Sequence, residues 1–386
     1  YWQRAHEPQR AGRDAAVKAG LEADGALAVA CPGALLVDPD AVRTRAGTPY
    51  RVFSAYWKAW REHLNVPAPS PAPTRIPGPR RWPQGLAPQA LGLDPGLGWT
   101  DGLAGAWEVG EEAARVRLAA FCAQRLERYA IDRDHPGVDG VSRLSPYLHF
   151  GELSPRQIWY TVRAAEEDGG AAGRSGAESY LRQLGWREFA AYVLHHWPET
   201  ASRSMDRRFE QFPWRTDYGD LLRRWQQGRT GYPLVDAGMR ELWRTGWMHN
   251  RARMLTASFL VKNCRIPWQE GARWFWDTLV DADLGSNSLG WQWTAGTGVD
   301  AAPYFRVFSP VRQGERFDAG GAYVRRWLPA LSGVPDRWVH QPWAGGSASR
   351  RGEAWGTPGY PEPVVDFDLS RREALAADRQ LRRGRR

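Results

Sequence analysis

Between Val66 and Trp99 stand nine of the chain's 28 prolines. Proline fixes φ and has no N–H to donate, so a run this dense cannot form a regular helix or an inner strand. Residues 66–99 are therefore expected to be a linker laid over something else, and folded regions must flank it. The first, residues 1–65, reads as α/β. It has a helical stretch around Arg13 to Leu21, short apolar runs Ala26–Cys31 and Leu35–Val37, and an amphipathic run from Arg51 to Leu64. That is too little for a closed domain, so an incomplete sheet with an exposed edge is expected.

From Glu111 the pattern is helical almost to the end. Ser154 followed by Pro155 places a capping hydroxyl before a proline at the first helical position, and Gly231 and Gly246 punctuate later segments. A large all-α domain is expected over 100–345, enclosing one deep cavity near Asn287. The tail, 346–386, is rich in Gly, Pro and Arg and reads as a solvated or frayed end. No internal repeat is found.

The 386 residues are 42% apolar, enough for a large core. The 52 basic residues against 43 acidic ones give +9, which favours a polyanionic partner, nucleic acid first. Lys18, Lys58 and Lys262 are the only lysines, so the positive charge is nearly all Arg. Arg suits bidentate phosphate contacts; a GC-rich genome produces the same bias. Cys31, Cys122 and Cys264 are too scattered for a disulfide framework or a four-thiolate cluster, which fits a reducing cytoplasm. No run approaches the roughly 20 apolar residues of a membrane span, and the opening at Tyr1 reads as a fragment. The 22 Trp residues are either an aromatic core, stacking platforms for bases or a ring cofactor, or closely spaced indoles that pass electrons.

Several motifs fail. Gly296, Gly298 and Ala301 match a dinucleotide pattern without the strand that gives it meaning, so a turn between helices is expected. His195 and His196 are adjacent, and neighbours on a helix do not share a face, which argues against joint metal chelation. No phosphate loop or nucleophile elbow is present.

One constellation is chemically loaded. Asp281, Asp283, Asn287, Trp291 and Trp293 put two carboxylates, an amide and two indoles within thirteen residues. Each carboxylate must find its own partner, and the indoles can stack flat rings. Upstream, Trp247 to Met254 offers Arg251 and Arg253, with Arg253 a natural ion-pair partner for Asp281. These residues suit a flat, hydrogen-bonding cofactor; an ordinary ion-paired helix pair is the plainer reading.

The run Trp247–Met254, the Gly231-Tyr232-Pro233 turn, Val141 to Ser145, Gly185 to Phe189, and Ala302 to Arg306 through Trp327 to Pro329 resemble, in order and spacing, the helical FAD domain of the cryptochrome/photolyase family. The closest likeness is to class I cyclobutane pyrimidine dimer photolyases. The first 65 residues and the Pro-rich connector resemble that family's α/β antenna domain, without its opening strands, and its linker. The resemblance implies a photolyase fold and light-driven repair of pyrimidine dimers in DNA, by electron transfer from excited reduced FAD to a flipped-out dimer.

Carried over residue by residue, the resemblance implies that FAD is held by Tyr129, by Val141, Ser142, Arg143, Leu144 and Ser145 at its phosphates, by Tyr180, Arg253, Asp281, Ala282 and Asp283, and faced by Asn287. The dimer would meet Gln183, Trp186, Asn250, Met254 and Trp293, with Arg133, Arg187, Arg251 and Gln313 toward the strand. Trp291, Trp268 and Trp214 match the family's electron route. Gln183 departs from the family's usual Glu, keeping its shape but not its charge. The likeness further implies a second antenna chromophore of folate or deazaflavin type, a monomer, and no metal or membrane. Two other functions are open: a cryptochrome-type photoreceptor and a flavin-free nucleic-acid binder.

Overall fold

The computed structural model describes residues 1–93, 96–168, 170–345 and 360–383. Its first 65 residues hold little sheet. Strands β1 (Trp2–Gln3) and β2 (Ala30–Cys31) pair in parallel, Trp2 beside Ala30 and Gln3 beside Cys31. Helix α1 (Pro8–Ala23) connects them, and α2 (Phe53–Glu62) follows. The run Leu35–Val37 is apolar enough for a strand and is not one. The backbone N–H groups of Leu36 and Val37 are taken instead by the Glu188 carboxylate, at 2.8 and 3.2 Å. A side chain some 150 positions away supplies the acceptors that a neighbouring strand would have given.

Beyond the linker every regular element among the described residues is helical. In order come α3 (Asp101–Ala106), α4 (Glu111–Gln124), α5 (Tyr129–Asp132), α6 (Ser145–Phe150), α7 (Pro155–Asp168) and α8 (Gly170–His196). Then follow α9 (Gly219–Gln226), α10 (Pro233–Thr245), α11 (Asn250–Ser258), α12 (Trp268–Thr278), α13 (Leu284–Ala295), α14 (Pro310–Phe317), α15 (Ala322–Trp327) and α16 (Phe367–Arg383). Their boundaries follow local chemistry. Ser154 Oγ accepts from Gln157 N–H, and the Gln157 side chain accepts from Ser154 N–H, a reciprocal cap that starts α7. Gly246 closes α10 at φ +65°, where a Cβ would lie 2.5 Å from Val280. Gly296, at φ +81°, likewise ends α13 in a turn.

The tail is not a solvated end over its described part. Ser370, Ala374 and Ala377 are buried along one face of α16, which Asn263 fastens by donating to Ser370 Oγ at 3.0 Å. Small residues among arginines carry this stripe, so apolar periodicity does not reveal it. Residues 346–359 and 384–386 lie outside the described residues.

Among the described residues three apolar clusters form the interior, one around α10 to α13 and α16, one joining α4, α6, α7 and α8, and one pressing α2 onto the second half of α8. In the last, Trp57 packs so closely on Gly185 that a Cβ there would fall 2.3 Å from the indole. Helix α8 is thus the shared wall of the molecule. On its N-terminal-segment side the fully buried Glu188 accepts from Leu36, Val37 and the Trp60 indole (3.3 Å). Burial pushes its carboxyl up to about 7, against the pull of Arg187 and of those donors.

The folded carboxyl keeps its proton up to about 7 while the unfolded one releases it near 4.5, so the folded state binds more protons between those values. Stability is lost as pH rises through this window. Between pH 4.5 and 8 the parent is expected to lose on the order of 2–3 kcal/mol relative to Glu188→Gln, read from urea unfolding at each pH. Parallel pH profiles would show that Glu188 does not titrate there.

Candidate functional site

A cavity of about 550 Å³ opens where the N-terminal segment, the 141–145 turn, α8 and the starts of α11 and α13 converge. Its lining includes Tyr129, Val141, Ser142, Arg143, Leu144, Ser145, Tyr180, Gln183, Arg187, Asn250, Arg253, Asp281 and Asp283.

The turn is built from its own residues. Arg143 sits at φ +53°, a left-handed conformation that a long side chain adopts at a cost of about 1–3 kcal/mol. Tyr180 Oη donates to Ser142 Oγ at 3.0 Å, and Ser142 Oγ accepts from Leu144 N–H. The Arg143 guanidinium lies 4.9 Å from the centre of the Trp247 ring, and its Nε is buried without a hydrogen-bond partner. The Trp247 indole donates to Ser145 Oγ at 3.2 Å. Burial pushes Tyr129 up to about 12 and Tyr180 further, so both hydroxyls stay protonated and can donate.

Each carboxylate has its own partner. Asp281, with 3% of its side chain exposed, takes both oxygens to Arg253 Nη2 at 2.8 and 3.1 Å, and Arg253 Nε donates to Met248 O. Asp283 caps α13 by accepting from Ser286 N–H at 2.7 Å. Ala282 packs on the helical core and does not line the cavity. Asn287 is one residue past the cavity-lining Ser286, and its amide donates to Ala272 O at 2.9 Å.

The expected substrate residues divide. Gln183 and Asn250 line the cavity, and Arg187 does so while donating to Ala34 O. Arg133 donates to Gln183 Oε1 at 3.2 Å, and Asn250 meets Met254 Sδ at 3.7 Å. Trp186 is instead stacked on Phe53, ring centres 3.6 Å apart, and Trp293 is half-buried outside the cavity lining. Arg251 is committed to Asp134 at 2.7 Å and lies over Phe317. Gln313 lies in a separate surface cleft with Arg306, Arg312 and Arg371.

Trp291 and Trp268 are buried, and Trp214 is half-buried. Gly271, one turn after Trp268, touches the Trp291 ring, and the Trp268 indole donates to Ser204 Oγ at 3.0 Å. Ser204 and Trp214 line one surface cleft. Trp291 thus packs on the helix that begins with Trp268, and Trp268 and Trp214 both lie near Ser204.

Sequence reasoning missed the cavity's other wall. Gln3, Arg4, His6, Arg10 and the backbone around Gly33–Leu35 line it, contributed by a segment read as a separate domain. It also passed over His249, whose Nδ1 caps α11 by accepting from Arg251 N–H at 3.1 Å. Burial pushes this imidazole down to about 3, so it stays neutral.

Arginines, hydroxyls, exposed-side backbone and a buried unpartnered guanidinium N–H suit a large anionic, ring-bearing group. The ion pair should be the support of this wall. Asp281→Asn leaves Arg253 unbalanced and is expected to cost about 2–3 kcal/mol, less than a wholly buried pair because Arg253 keeps some solvent. Urea unfolding measures it; a change within about 0.5 kcal/mol, as for a surface substitution, would refute it.

Comparison with known proteins agrees with this geometry. The model of the FAD binding domain of DNA photolyase matches residues 180–380, and the DNA photolyase model matches residues 1–74. The deoxyribodipyrimidine photo-lyase of Agrobacterium fabrum is 38% identical over 379 residues, covering 97% of this chain and 78% of that one. That of Salmonella typhimurium is 41% identical over 96% of this chain and 76% of its own. Cryptochrome-2 of Arabidopsis thaliana is 37% identical over 96% of this chain and 62% of its own. A bacterial class III photolyase structure from Agrobacterium tumefaciens superposes with a TM-score of 0.93 at 37% identity, covering 99% of this chain and 79% of that one. The chain belongs to the photolyase/cryptochrome family and has its fold, with the family's FAD-binding domain.

Proposed function

We propose that this protein repairs cyclobutane pyrimidine dimers in DNA under light. The observation that carries the reading is the cavity of the FAD-binding domain, where the amides of Gln183 and Asn250 share the lining with Arg253 and Asp281. FAD, when bound, supplies the light-excited electron donor that such chemistry needs.

The chain's own residues do the rest. Tyr129, Val141 to Ser145, Tyr180, Arg253, Ala282 and Asp283 bind or frame the cofactor, and the Asp281–Arg253 pair fixes the wall beside it. Asn287 is the neutral amide of the ring side. Gln183 and Asn250 read the pyrimidine edges, with Met254 beside Asn250; Trp186 and Trp293, packed outside the cavity lining, would act only by leaving that packing. A dimer is cheaper to flip than a sound pair because its stacking is already disturbed. Arg133 and Arg187 face the phosphates, in keeping with the +9 charge, while Arg251 is spent on Asp134 and Gln313 would meet the strand only at its separate cleft. Trp291, Trp268 and Trp214 carry electrons inward from the surface. We further assign a second, light-gathering chromophore, a monomeric state and a reducing cytoplasmic setting, the last from three free cysteines.

The test is repair of a dimer-containing oligonucleotide in light and in darkness. Repair in light alone supports the reading. A protein whose flavin responds to light without restoring the dimer is the photoreceptor that its cryptochrome relatives exemplify, and the proposal then fails.

Gln183 gives a sharper expectation. Its Oε1 is held by Arg133 and its Nε2 donates to Ser179 O at 3.0 Å, so the neutral amide orients a cation without cancelling it. Gln183→Glu should pair with Arg133 and weaken binding to dimer DNA, about tenfold at low salt and less at high salt, while repair per bound complex stays near the parent's. Gln183→Ala should lower repair per bound complex, since it leaves a pyrimidine contact unmade. If both variants bind and repair like the parent, Gln183 does not touch the substrate.

A further inference from the structure

Helix α8 ends in His195 and His196, whose rings lie edge to face with centres 4.8 Å apart although the two residues are adjacent. A third ligating group beside such a pair can complete a donor set. The 3₁₀ turn Pro39–Ala41 packs against this end of α8 and sets Asp40 there. His195 Nε2 lies 3.1 Å from Asp40 Oδ2, and His196 Nε2 lies 3.3 Å from Pro39 O. One ligand atom from each of Asp40, His195 and His196 falls within 4.8 Å of the others.

We propose that Asp40, His195 and His196 form a divalent transition-metal site, with Zn²⁺ as its natural occupant. Two imidazoles and one carboxylate are a donor set that zinc accepts, with its remaining position left for water or a fourth ligand. His6 is one candidate, its ring centre 6.1 Å from that of His195. The carboxylate is already oriented, because Arg43 Nη2 donates to Asp40 Oδ1 at 2.7 Å and leaves Oδ2 turned to His195. That is the outer support that ligating carboxylates ordinarily have.

None of the three residues lines the large cavity, although His6, which lies beside His195, does. The place of the site gives its role. Glu188 ties Leu36 and Val37 to α8, and two turns later the metal would tie Asp40 to the same helix, stapling the N-terminal segment along the wall.

Untagged, metal-stripped full chain is titrated with ZnCl₂ alone, by calorimetry and by measuring retained zinc after gel filtration. One equivalent should bind to the parent and raise its thermal midpoint, and both effects should be lost in Asp40→Ala/His195→Ala/His196→Ala, with far-UV circular dichroism and flavin content kept. No retained zinc, or equal retention in parent and triple variant, overturns the proposal. Cu²⁺ bound to the parent gives a reading that needs no variant. Electron paramagnetic resonance should show nitrogen splitting from two imidazoles, and its absence is equally fatal.

Discussion

The carboxylate of Glu188 is the point on which the arrangement of the molecule turns. It is wholly buried, faces three donors from the N-terminal segment, and stands on the helix whose other face bears Gln183 and Tyr180. An unpaired buried carboxyl would be strongly disfavoured, so Leu36, Val37 and Trp60 are held to α8 by the need to satisfy it. With them come Gln3, Arg4, His6 and the Gly33–Leu35 backbone, which form the near wall of the cavity. Arg187, the adjacent residue, reinforces the tie through Ala34 O at 2.6 Å and faces the cavity itself. One turn of α8 thus couples the small segment to the candidate active site.

Inside the cavity the charges are placed in opposition. Arg253 is neutralised by Asp281, whereas Arg143 lies over the Trp247 ring with a buried Nε lacking a partner. Arg253 is held by a direct ion pair, whereas Arg143 keeps an N–H without a hydrogen-bond partner. The left-handed backbone of Arg143 belongs to the same division, since strain at a lining residue persists only where surrounding contacts enforce it. Tyr180 through Ser142, and Trp247 through Ser145, supply that enforcement.

What the sequence made legible was mostly local. Proline density marked a stretch whose described residues form neither α-helix nor strand, the Ser154 cap started α7, and Arg253 was anticipated as the partner of Asp281. What it hid depends on distant partners. Leu35–Val37 looks like a strand because its composition is that of one, and only Glu188 decides otherwise. Alanines buried in an arginine-rich tail conceal α16. Adjacent histidines argue against a shared ligand until a distant segment brings Asp40 beside them. Family likeness named the site residues, yet Trp186 stacks on Phe53 and Asn287 turns to Ala272, choices set by packing that no motif records.

The central claim is that the cavity between α8, α11 and α13 holds the flavin whose excitation drives dimer repair. An action spectrum tests it most directly: repair of a dimer-containing oligonucleotide per incident photon, across the near-ultraviolet and blue, set beside the absorption of the purified reduced protein. Repair should rise and fall with the absorption of bound reduced FAD, augmented only where a second bound chromophore absorbs, and should vanish in darkness. Repair that proceeds unlit, or that ignores the flavin's absorption, would contradict it.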